Sequence, residues 1–265
     1  MFIDNTYLRL ILSSIQSKME YRGSFYVFLL SIVSFYLSQI FVIVIMIYNF
    51  RSIQGWGPGE LSLLYTLFIF SYGITSNVFS GLLFFSEFIR KGDYDRILLR
   101  PLNTLGQIIS MNFDLTGLIH FGLGIIALIL THHFLPIEWD LKRIFLFVLT
   151  IIGGSLIFGA IRIFVAGVSF FAIKNDSLQH LVVFSTREFI LYPLNIYNRF
   201  VQFFLTFIFP IGFVNYYPAH LFLDKKEAFL HPMLIYGTFP VGVVFFLLSL
   251  LFWRVGEKHY GSTGS

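Results

Sequence analysis

Six long apolar blocks separated by polar segments dominate this sequence and constrain its fold more than any other feature. The blocks cover residues 25–48, 61–85, 105–130, 144–173, 200–217 and 233–253. About 20 predominantly apolar residues in an α-helix cross a hydrocarbon core of roughly 30 Å. The pattern therefore predicts an all-α membrane protein with six transmembrane helices, organised as one transmembrane domain over residues 1–265.

The composition supports a membrane protein and excludes several other classes. Of the 265 residues, 57% are apolar or aromatic and only 12% are charged, whereas soluble domains carry roughly 25% charged residues. These figures exclude a soluble enzyme and a disordered chain, and the scattered basic residues form no patch for nucleic acid. The chain contains no cysteine, so it has no disulfide framework, thiolate metal site or cysteine nucleophile.

The distribution of basic residues predicts the orientation of the chain. Twelve of the 18 lysines and arginines fall on the side of the two termini, five fall on the other side, and Arg162 falls within the fourth block. An excess of basic residues is typical of the cytoplasmic loops of membrane proteins. Both termini are therefore predicted to lie in the cytoplasm.

Two further segments are predicted to lie beside the spans rather than to cross the membrane. Residues 8–19 place five apolar side chains on one helical face, namely Leu8, Ile11, Leu12, Ile15 and Met19. This pattern predicts an amphipathic helix on the inner membrane surface, or alternatively an apolar-faced cap packed on the bundle. On the outer side, Pro210 and Pro218 are expected to end the fifth span, so that residues 219–232 dip back as short re-entrant helices.

Charged residues are concentrated in the connection between the second and third blocks. This segment contains Glu87, Arg90, Lys91, Asp93, Asp95, Arg96 and Arg100. Residues 93–99 suit a short helix with Asp93 as N-cap and with Tyr94, Ile97 and Leu98 on one face, ended by Pro101. Such a helix could bind in a groove of a soluble partner. The alternative is a solvated loop whose basic residues only fix the topology.

Arg162 is the one basic residue deep within a predicted span, where an arginine costs at least a few kcal/mol. Its helical neighbours Ser155, Gly159, Ala166 and Ser169 form a stripe of small residues, a surface on which membrane helices approach closely. Asp114 in the third block is predicted to lie at a similar depth and to form an ion pair with Arg162. The alternative is that Arg162 lines a substrate path or a subunit interface.

Sequence signatures of catalysis are missing. The chain contains no P-loop motif and no H-E-x-x-H zinc motif. Adjacent His132 and His133 with Glu138 could ligate zinc, but their spacing favours a solvated loop. The sequence therefore predicts a protein without enzymatic activity and without a cofactor of its own.

Four separated stretches resemble a six-span branch of the ABC-type-2 permeases. Residues 92–102 are similar to the pattern G-x-x-D-x-L-L-x-R-P-L of that branch. The other stretches are residues 192–197, residues 209–219, and Trp253 followed by residues 260–264. Together they extend over essentially the whole chain.

The resemblance implies a membrane subunit of an ATP-binding-cassette exporter in a bacterial plasma membrane. Two permease subunits, identical or homologous, would pair with two cytoplasmic ATPase subunits that bind ATP and Mg. Residues 87–100 would correspond to the coupling helix, residues 8–19 to the elbow helix and residues 219–232 to an outer re-entrant gate. Independently of the resemblance, a stand-alone channel, a secondary transporter and a lipid-modifying enzyme remain alternatives, and the sequence does not predict the substrate.

Overall fold

The protein is helical throughout the part of the chain that the computed structural model describes. The described residues are 3–20, 23, 26–27, 29–38, 41, 52–115, 117–172, 175–225 and 232–261. The helices are α1 (Ile3–Glu20), α2 (Leu29–Ser38), α3 (Pro58–Val78), α4 (Phe85–Arg90), α5 (Asp93–Leu98), α6 (Thr104–Met111), α7 (Gly117–Phe134), α8 (Leu141–Val168), α9 (Asp176–Gln179), α10 (Ser185–Phe189), α11 (Arg199–Phe203), α12 (Tyr216–Leu223) and α13 (Thr238–His259). The predicted all-α class is confirmed.

Helix α3 is the central helix of the bundle, and α7, α8 and α12 pack around it. It begins after Trp56, which is fully buried, and continues through a short 3-10 turn at Ser80–Phe84 into α4. We call the two ends of the bundle the Trp56 end and the Glu257 end, after buried or half-buried residues that lie there. At Gly117 helix α7 approaches α3 so closely that a Cβ atom would collide with the side chain of Asn77.

Helices α8 and α13 run in the same direction and pack through glycines. A Cβ atom at Gly242 would lie 2.5 Å from the carbonyl oxygen of Gly153. Further along the pair, a Cβ atom at Gly167 would lie 3.0 Å from the ring of Phe252. Backbones in direct contact are typical of membrane helix pairs, which associate by close packing rather than by the hydrophobic effect.

Four helices of the described residues are long and apolar enough to cross a membrane, namely α3, α7, α8 and α13. Unlike α3, helices α7 and α13 expose much of their apolar surface, including Ile125, Ile129, Leu247 and Leu251. Contiguous exposed apolar surface of this extent fits a lipid environment. The first predicted span, residues 25–48, lies mostly outside the described residues, although α2 falls within it.

The third apolar block does not form one helix. Residues 105–130 divide between α6 and α7, and the break contains Asn112 and Asp114. Asn103 caps α6 by accepting a hydrogen bond from the backbone N–H of Gly106. The prediction that Asp114 lies within a helical span is therefore wrong, because Asp114 belongs to the break between two helices.

The segment of α9 and α10 crosses most of the bundle, although the sequence suggested no span there. Its two helices are joined by a π-helical turn at His180–Phe184. Near its start, Gln179 donates hydrogen bonds to the carbonyl oxygens of Leu82 and Leu83 at the Glu257 end. After α10, Asn195 donates to the carbonyl oxygen of Gln54 at the Trp56 end. The chain therefore passes from one end of the bundle to the other between residues 179 and 195.

The fifth apolar block, residues 200–217, belongs to a helical pair that doubles back rather than to a single traverse. The pair Arg199–Ile208 and Ile211–Leu223 is bent by 79° at Pro210, which lacks a backbone donor. Asn195 before the pair contacts Gln54, and Lys225 after it donates to the carbonyl oxygen of Gly55, 2.8 Å away. Both ends of the pair thus lie at the Trp56 end, so the prediction of one crossing at 200–217 is wrong.

Because of this doubled-back pair, the re-entrant segment lies earlier in the chain than the sequence predicted. The sequence suggested that residues 219–232 dip back, whereas the bend lies earlier and α12 forms its returning arm. Asn215 at the bend donates hydrogen bonds to the carbonyl oxygens of Leu64 and Ile190. Residues 226–231 lie outside the described residues.

Candidate functional site

The charged segment between α3 and α6 forms two short helices joined by a tight turn. We call residues Glu87–Arg100 the charged segment. Gly92 separates α4 from α5 and has a φ of 71°, in the left-handed region that favours glycine. Gly92 therefore takes the N-cap position, which the sequence assigned to Asp93. The predicted short helix itself is present as Asp93–Leu98.

One side of the charged segment is bound to the end of α13 through Glu257. The hydroxyl groups of Tyr94 and Thr104 both donate to Oε1 of Glu257, at 2.7 Å and 2.5 Å. The Tyr94 side chain is fully buried, and burial together with the Glu257 carboxylate raises its pKa above the ordinary value. Hydrogen bonds to an ionised acceptor are stronger than neutral ones, so Glu257 holds α5 and α6 on α13.

Aromatic rings extend this attachment into the bundle. Phe85 lies 4.8 Å from Trp253 and 5.2 Å from Phe170, measured between ring centroids. Tyr94 contacts Phe170 and Tyr260 with centroids 5.4 Å and 4.9 Å apart. All of these pairs except the tilted Phe85–Trp253 pair are edge-to-face, and such pairs are favourable beyond the area that they bury. The cluster joins α4 and α5 to α8 and α13.

A second polar contact lies beside this cluster. The Tyr260 hydroxyl donates to Oδ1 of Asp95 at 2.9 Å. Burial and the neighbouring carboxylate raise the pKa of Tyr260 to about 12, so the phenol remains protonated and able to donate at neutral pH. Asp95 therefore helps to attach the charged segment to the residues that follow α13.

The opposite side of the charged segment is exposed. Leu99 is 85% exposed and Leu98 is about half exposed. The charged side chains around them are exposed or partly exposed: Glu87 pairs with Lys91 at 2.6 Å, and Asp93 lies 3.9 Å from Arg96. Arg90 and Arg100 are also exposed. The result is an apolar tip surrounded by charges of both signs, a composition suited to binding a protein.

The small-residue stripe on α8 packs within the chain. A Cβ atom at Gly159 would lie 2.6 Å from the ring of Phe79, and Thr75 of α3 donates to the carbonyl oxygen of Ser155. Ala166 is buried in the cluster that also contains Trp253. In this structure the stripe therefore seats α8 on α3 and α13.

Arg162 and Asp114 reach the same part of the bundle, as the sequence suggested. Nη1 of Arg162 donates to the carbonyl oxygen of Thr75 at 3.2 Å, and its guanidinium lies 5.3 Å from the Tyr72 ring. The backbone N–H of Asp114 donates to the carbonyl oxygen of Asn77. The two residues thus lie beside the same turn of α3, while an ion pair between them stays a prediction.

Arg187 is a functional candidate that the sequence did not indicate, because residue 187 lies between the fourth and fifth apolar blocks, on the side predicted to be cytoplasmic. Its guanidinium lies 4.7 Å from the Tyr72 ring and 4.8 Å from the Phe35 ring. A sequence signal for a packed helix was nevertheless present, because buried residues around Arg187 recur at helical spacing. These residues are Gln179, Val183, Thr186 and Ile190. Mean hydropathy concealed this spacing because the segment also contains charged residues.

The two arginines line one cavity of about 380 Å³ near the Glu257 end of α3, which we call the arginine cavity. Helices α2, α3, α7, α8 and α10 contribute side chains to it. Its lining residues are Ser31, Ile32, Phe35, Tyr72, Ser76, Ser80, Leu83, Phe84, Asp114, His120, Arg162 and Arg187.

Polar contacts close the opposite, Trp56 end. Lys225 donates to Oε1 of Glu60 at 2.9 Å, and its ammonium lies 4.3 Å from the Trp56 ring. Arg143 pairs with Asp224 at 2.7 Å. These contacts bind the end of α12 to the beginnings of α3 and α8.

The histidines considered as zinc ligands do not form a metal site in the described part of the chain. His132 and His133 are exposed at the end of α7. No group of three or more histidine, aspartate or glutamate residues within the described ranges is arranged to hold a metal ion.

The fold and the attached charged segment define a helical membrane protein that exposes an apolar tip surrounded by charged side chains at one end. A family model described as "ABC-2 family transporter protein" matches residues 33–264. The chain therefore belongs to the ABC-2 family, the membrane permease subunits of ABC transporters. A search of curated proteins found no match.

Proposed function

We propose that this chain is the permease of an ATP-driven exporter in a bacterial plasma membrane. It would pair with a second permease, identical or homologous, and with two cytoplasmic ATPase subunits that supply the ATP and Mg sites. The observation that carries the proposal is the charged segment, which is attached to α13 on one side and exposed on the other. A surface built to transmit force needs both properties.

The attachment explains how motion of a bound ATPase would reach the spans. A displacement of Leu99 moves α5, and Tyr94 and Thr104 transmit that displacement to Glu257 at the end of α13. Phe85 and Phe170 carry it to α4 and α8 through ring contacts. Because protein interiors are close-packed, such displacements move whole helices rather than single side chains.

The basic residues support a cytoplasmic position for the charged segment. Because α9 and α10 pass from one end of the bundle to the other, Arg199 lies on the Trp56 side, and Arg187 lies within the bundle, as Arg162 does. Among the described residues the Glu257 side then has eight lysines and arginines, against four on the other side. This excess supports a cytoplasmic position for the Glu257 side.

The two ends of the bundle differ in a way that suits alternating access. The Trp56 end is closed by the contacts of Lys225 and Arg143, whereas the arginine cavity lies toward the Glu257 end. In an export cycle this arrangement corresponds to the state that accepts substrate from the cytoplasmic half. ATP-driven movement of the charged segment would then loosen the contacts at the Trp56 end.

A single substitution at the tip tests the proposal. Leu99→Asp is expected to abolish co-purification of a P-loop ATPase with the full chain. An aspartate removes the apolar contact and introduces a charge that docking would desolvate, which together weaken binding at least about tenfold. The measurement is the ATP hydrolysis activity and the P-loop protein recovered with the tagged chain from its native membrane.

Leu141→Asp is the matched control, because Leu141 is also 85% exposed but lies at the opposite end of the bundle. It should leave the recovered ATPase unchanged. Equal recovery with Leu99→Asp and with the unaltered chain would refute docking at this surface.

A further inference from the structure

The arginine cavity combines an unusual charge with an apolar wall. Arg162 is only 4% exposed and Arg187 is half-buried, and both guanidinium groups lie on the ring of Tyr72. A buried cation is costly unless it is paired or hydrogen-bonded. Two cations beside one ring therefore require an explanation beyond packing.

Within the described residues, neither of the two arginines forms an ion pair. The ion pairs that described residues form with one another lie in the charged segment and at the Trp56 end, not at these arginines. Nε of Arg187 is buried and has no hydrogen-bond partner in the part of the chain that the structure describes. A buried donor without a partner costs about 1–3 kcal/mol, which an acceptor entering the cavity would recover.

The other titratable groups around the cavity do not cancel this charge. Asp114 is the carboxylate in the lining and offers one negative charge against two guanidinium groups. His120 of α7 also lines the cavity, with its ring 5.4 Å from Tyr72. Glu188 follows Arg187 in sequence but its side chain is exposed. Among the described lining residues, the guanidinium groups therefore outnumber the carboxylate.

Part of the remaining wall is apolar. Ile32 and Phe35 of α2 line the cavity together with Leu83 and Phe84 of the 3-10 turn that follows α3. Phe84 is 64% exposed, so this side is open to a molecule with an apolar part. A volume of about 380 Å³ is within the range of small-molecule sites.

We infer that the arginine cavity binds the oxyanion head group of an amphiphilic molecule, with the oxyanion at Arg162 and Arg187 and the apolar part along Phe35 and Phe84. Arginine binds phosphate and carboxylate groups through paired N–H donors. The inference rests on the proposed function in one respect, namely that this amphiphile would be the exported substrate. It assigns a chemical class to a substrate that the family membership leaves open.

Equilibrium binding to the purified full chain in an uncharged detergent tests the inference. Dodecyl phosphate should bind, dodecyltrimethylammonium should bind at least about tenfold more weakly, and inorganic phosphate should compete poorly because it lacks the apolar part. Arg187→Gln should weaken dodecyl phosphate binding by about tenfold or more. Arg143→Gln, which removes a guanidinium at the Trp56 end, should leave the affinity unchanged.

A measurement on the unaltered chain covers the case in which Arg187→Gln fails to fold. Dodecyl phosphate should slow the modification of Arg187 by phenylglyoxal, followed by peptide mass spectrometry, and should not slow the modification of Arg143. The inference is overturned if the cationic amphiphile binds equally well, if inorganic phosphate competes as strongly as dodecyl phosphate, or if Arg187 is not protected. Since no ATPase takes part, failure here with intact ATPase recovery would reject the substrate class and leave the proposed function standing.

Discussion

Replacing Glu257 with alanine is expected to release the charged segment from the bundle. The substitution leaves the hydroxyl groups of Tyr94 and Thr104 without their shared acceptor. Tyr94 is fully buried, so water cannot replace the lost partner without an opening of the packing. Orphaned buried donors cost about 1–3 kcal/mol each, and the two together should favour local opening by at least about tenfold.

Limited proteolysis with trypsin measures this release directly. The segment contains Arg90, Lys91 and Arg96, which are trypsin cleavage positions on its exposed side, whereas Pro101 prevents cleavage after Arg100. When opening is fast relative to cleavage, the cleavage rate follows the population of the open form. Glu257→Ala should therefore be cut within the segment at least about tenfold faster than the unaltered chain.

Glu257→Gln provides the matched control for this experiment. The glutamine side chain retains an Oε1 atom that can accept from both hydroxyl groups, although without the negative charge. Because neutral hydrogen bonds are weaker than charged ones, this variant should be cut at a rate between those of the unaltered chain and Glu257→Ala. An equal cleavage rate for the alanine variant and the unaltered chain would show that Glu257 does not hold the segment.

The second large effect is expected where α8 and α13 meet. A Cβ atom at Gly242 would lie 2.5 Å from the carbonyl oxygen of Gly153, and a Cβ atom at Gly153 would lie 2.7 Å from Cα of Phe239. Both obstacles are backbone atoms, so the helices must separate to admit a methyl group. Overpacking costs typically about 1–3 kcal/mol, and Gly242→Ala should lower thermal stability by an amount at the upper end of this range.

Gly122→Ala on α7 is the control, because a Cβ atom there would meet no atom within 4 Å. Alanine has a higher helix propensity than glycine, so this variant should be as stable as the unaltered chain or slightly more stable. Thermal unfolding in the same detergent compares the two substitutions. A Gly242→Ala variant as stable as Gly122→Ala would contradict direct backbone contact between α8 and α13.

The long apolar blocks predicted the parts of the fold that hydropathy determines. Helices α3, α7, α8 and α13 fall on the second, third, fourth and sixth blocks, and the charged segment forms the short helix that its pattern indicated. Apolar side chains raise the hydropathy whether they face lipid or the core, so the helices can be predicted without the tertiary structure. The polar contacts between the helices cannot be predicted in this way.

The fifth traverse shows why hydropathy alone misassigned a segment. Phe200, Phe203 and Phe207 are exposed on the doubled-back pair, and their apolar character made it resemble a crossing. Conversely, Arg187 made the true traverse resemble a loop, although its guanidinium stacks on Phe35 and Tyr72 inside the bundle. A composition average cannot register where a charged side chain points.

The candidate sites were predictable to different degrees. Arg162 was identified from the cost of a charge within a span, and the structure puts it beside Tyr72. Arg162 and Arg187 lie close together only because of how α8 and α10 pack, and the spacing of residues within each segment does not reveal that packing. Similarly, the bond between Tyr94 and Glu257 joins residues 163 positions apart in sequence.

Site-specific cross-linking from position 99 tests the central claim most directly, because the chain contains no cysteine of its own. Leu99→Cys and Leu141→Cys each carry a single thiol at opposite ends of the bundle. A membrane-permeant reagent that carries one maleimide and one photoreactive group is applied to intact cells, so that the cross-link needs no cysteine in the partner. The account predicts that position 99 is joined to a P-loop ATPase and position 141 is not. Reaction of position 99 with a membrane-impermeant maleimide added outside the cells, or an ATPase joined to position 141 instead, would contradict it.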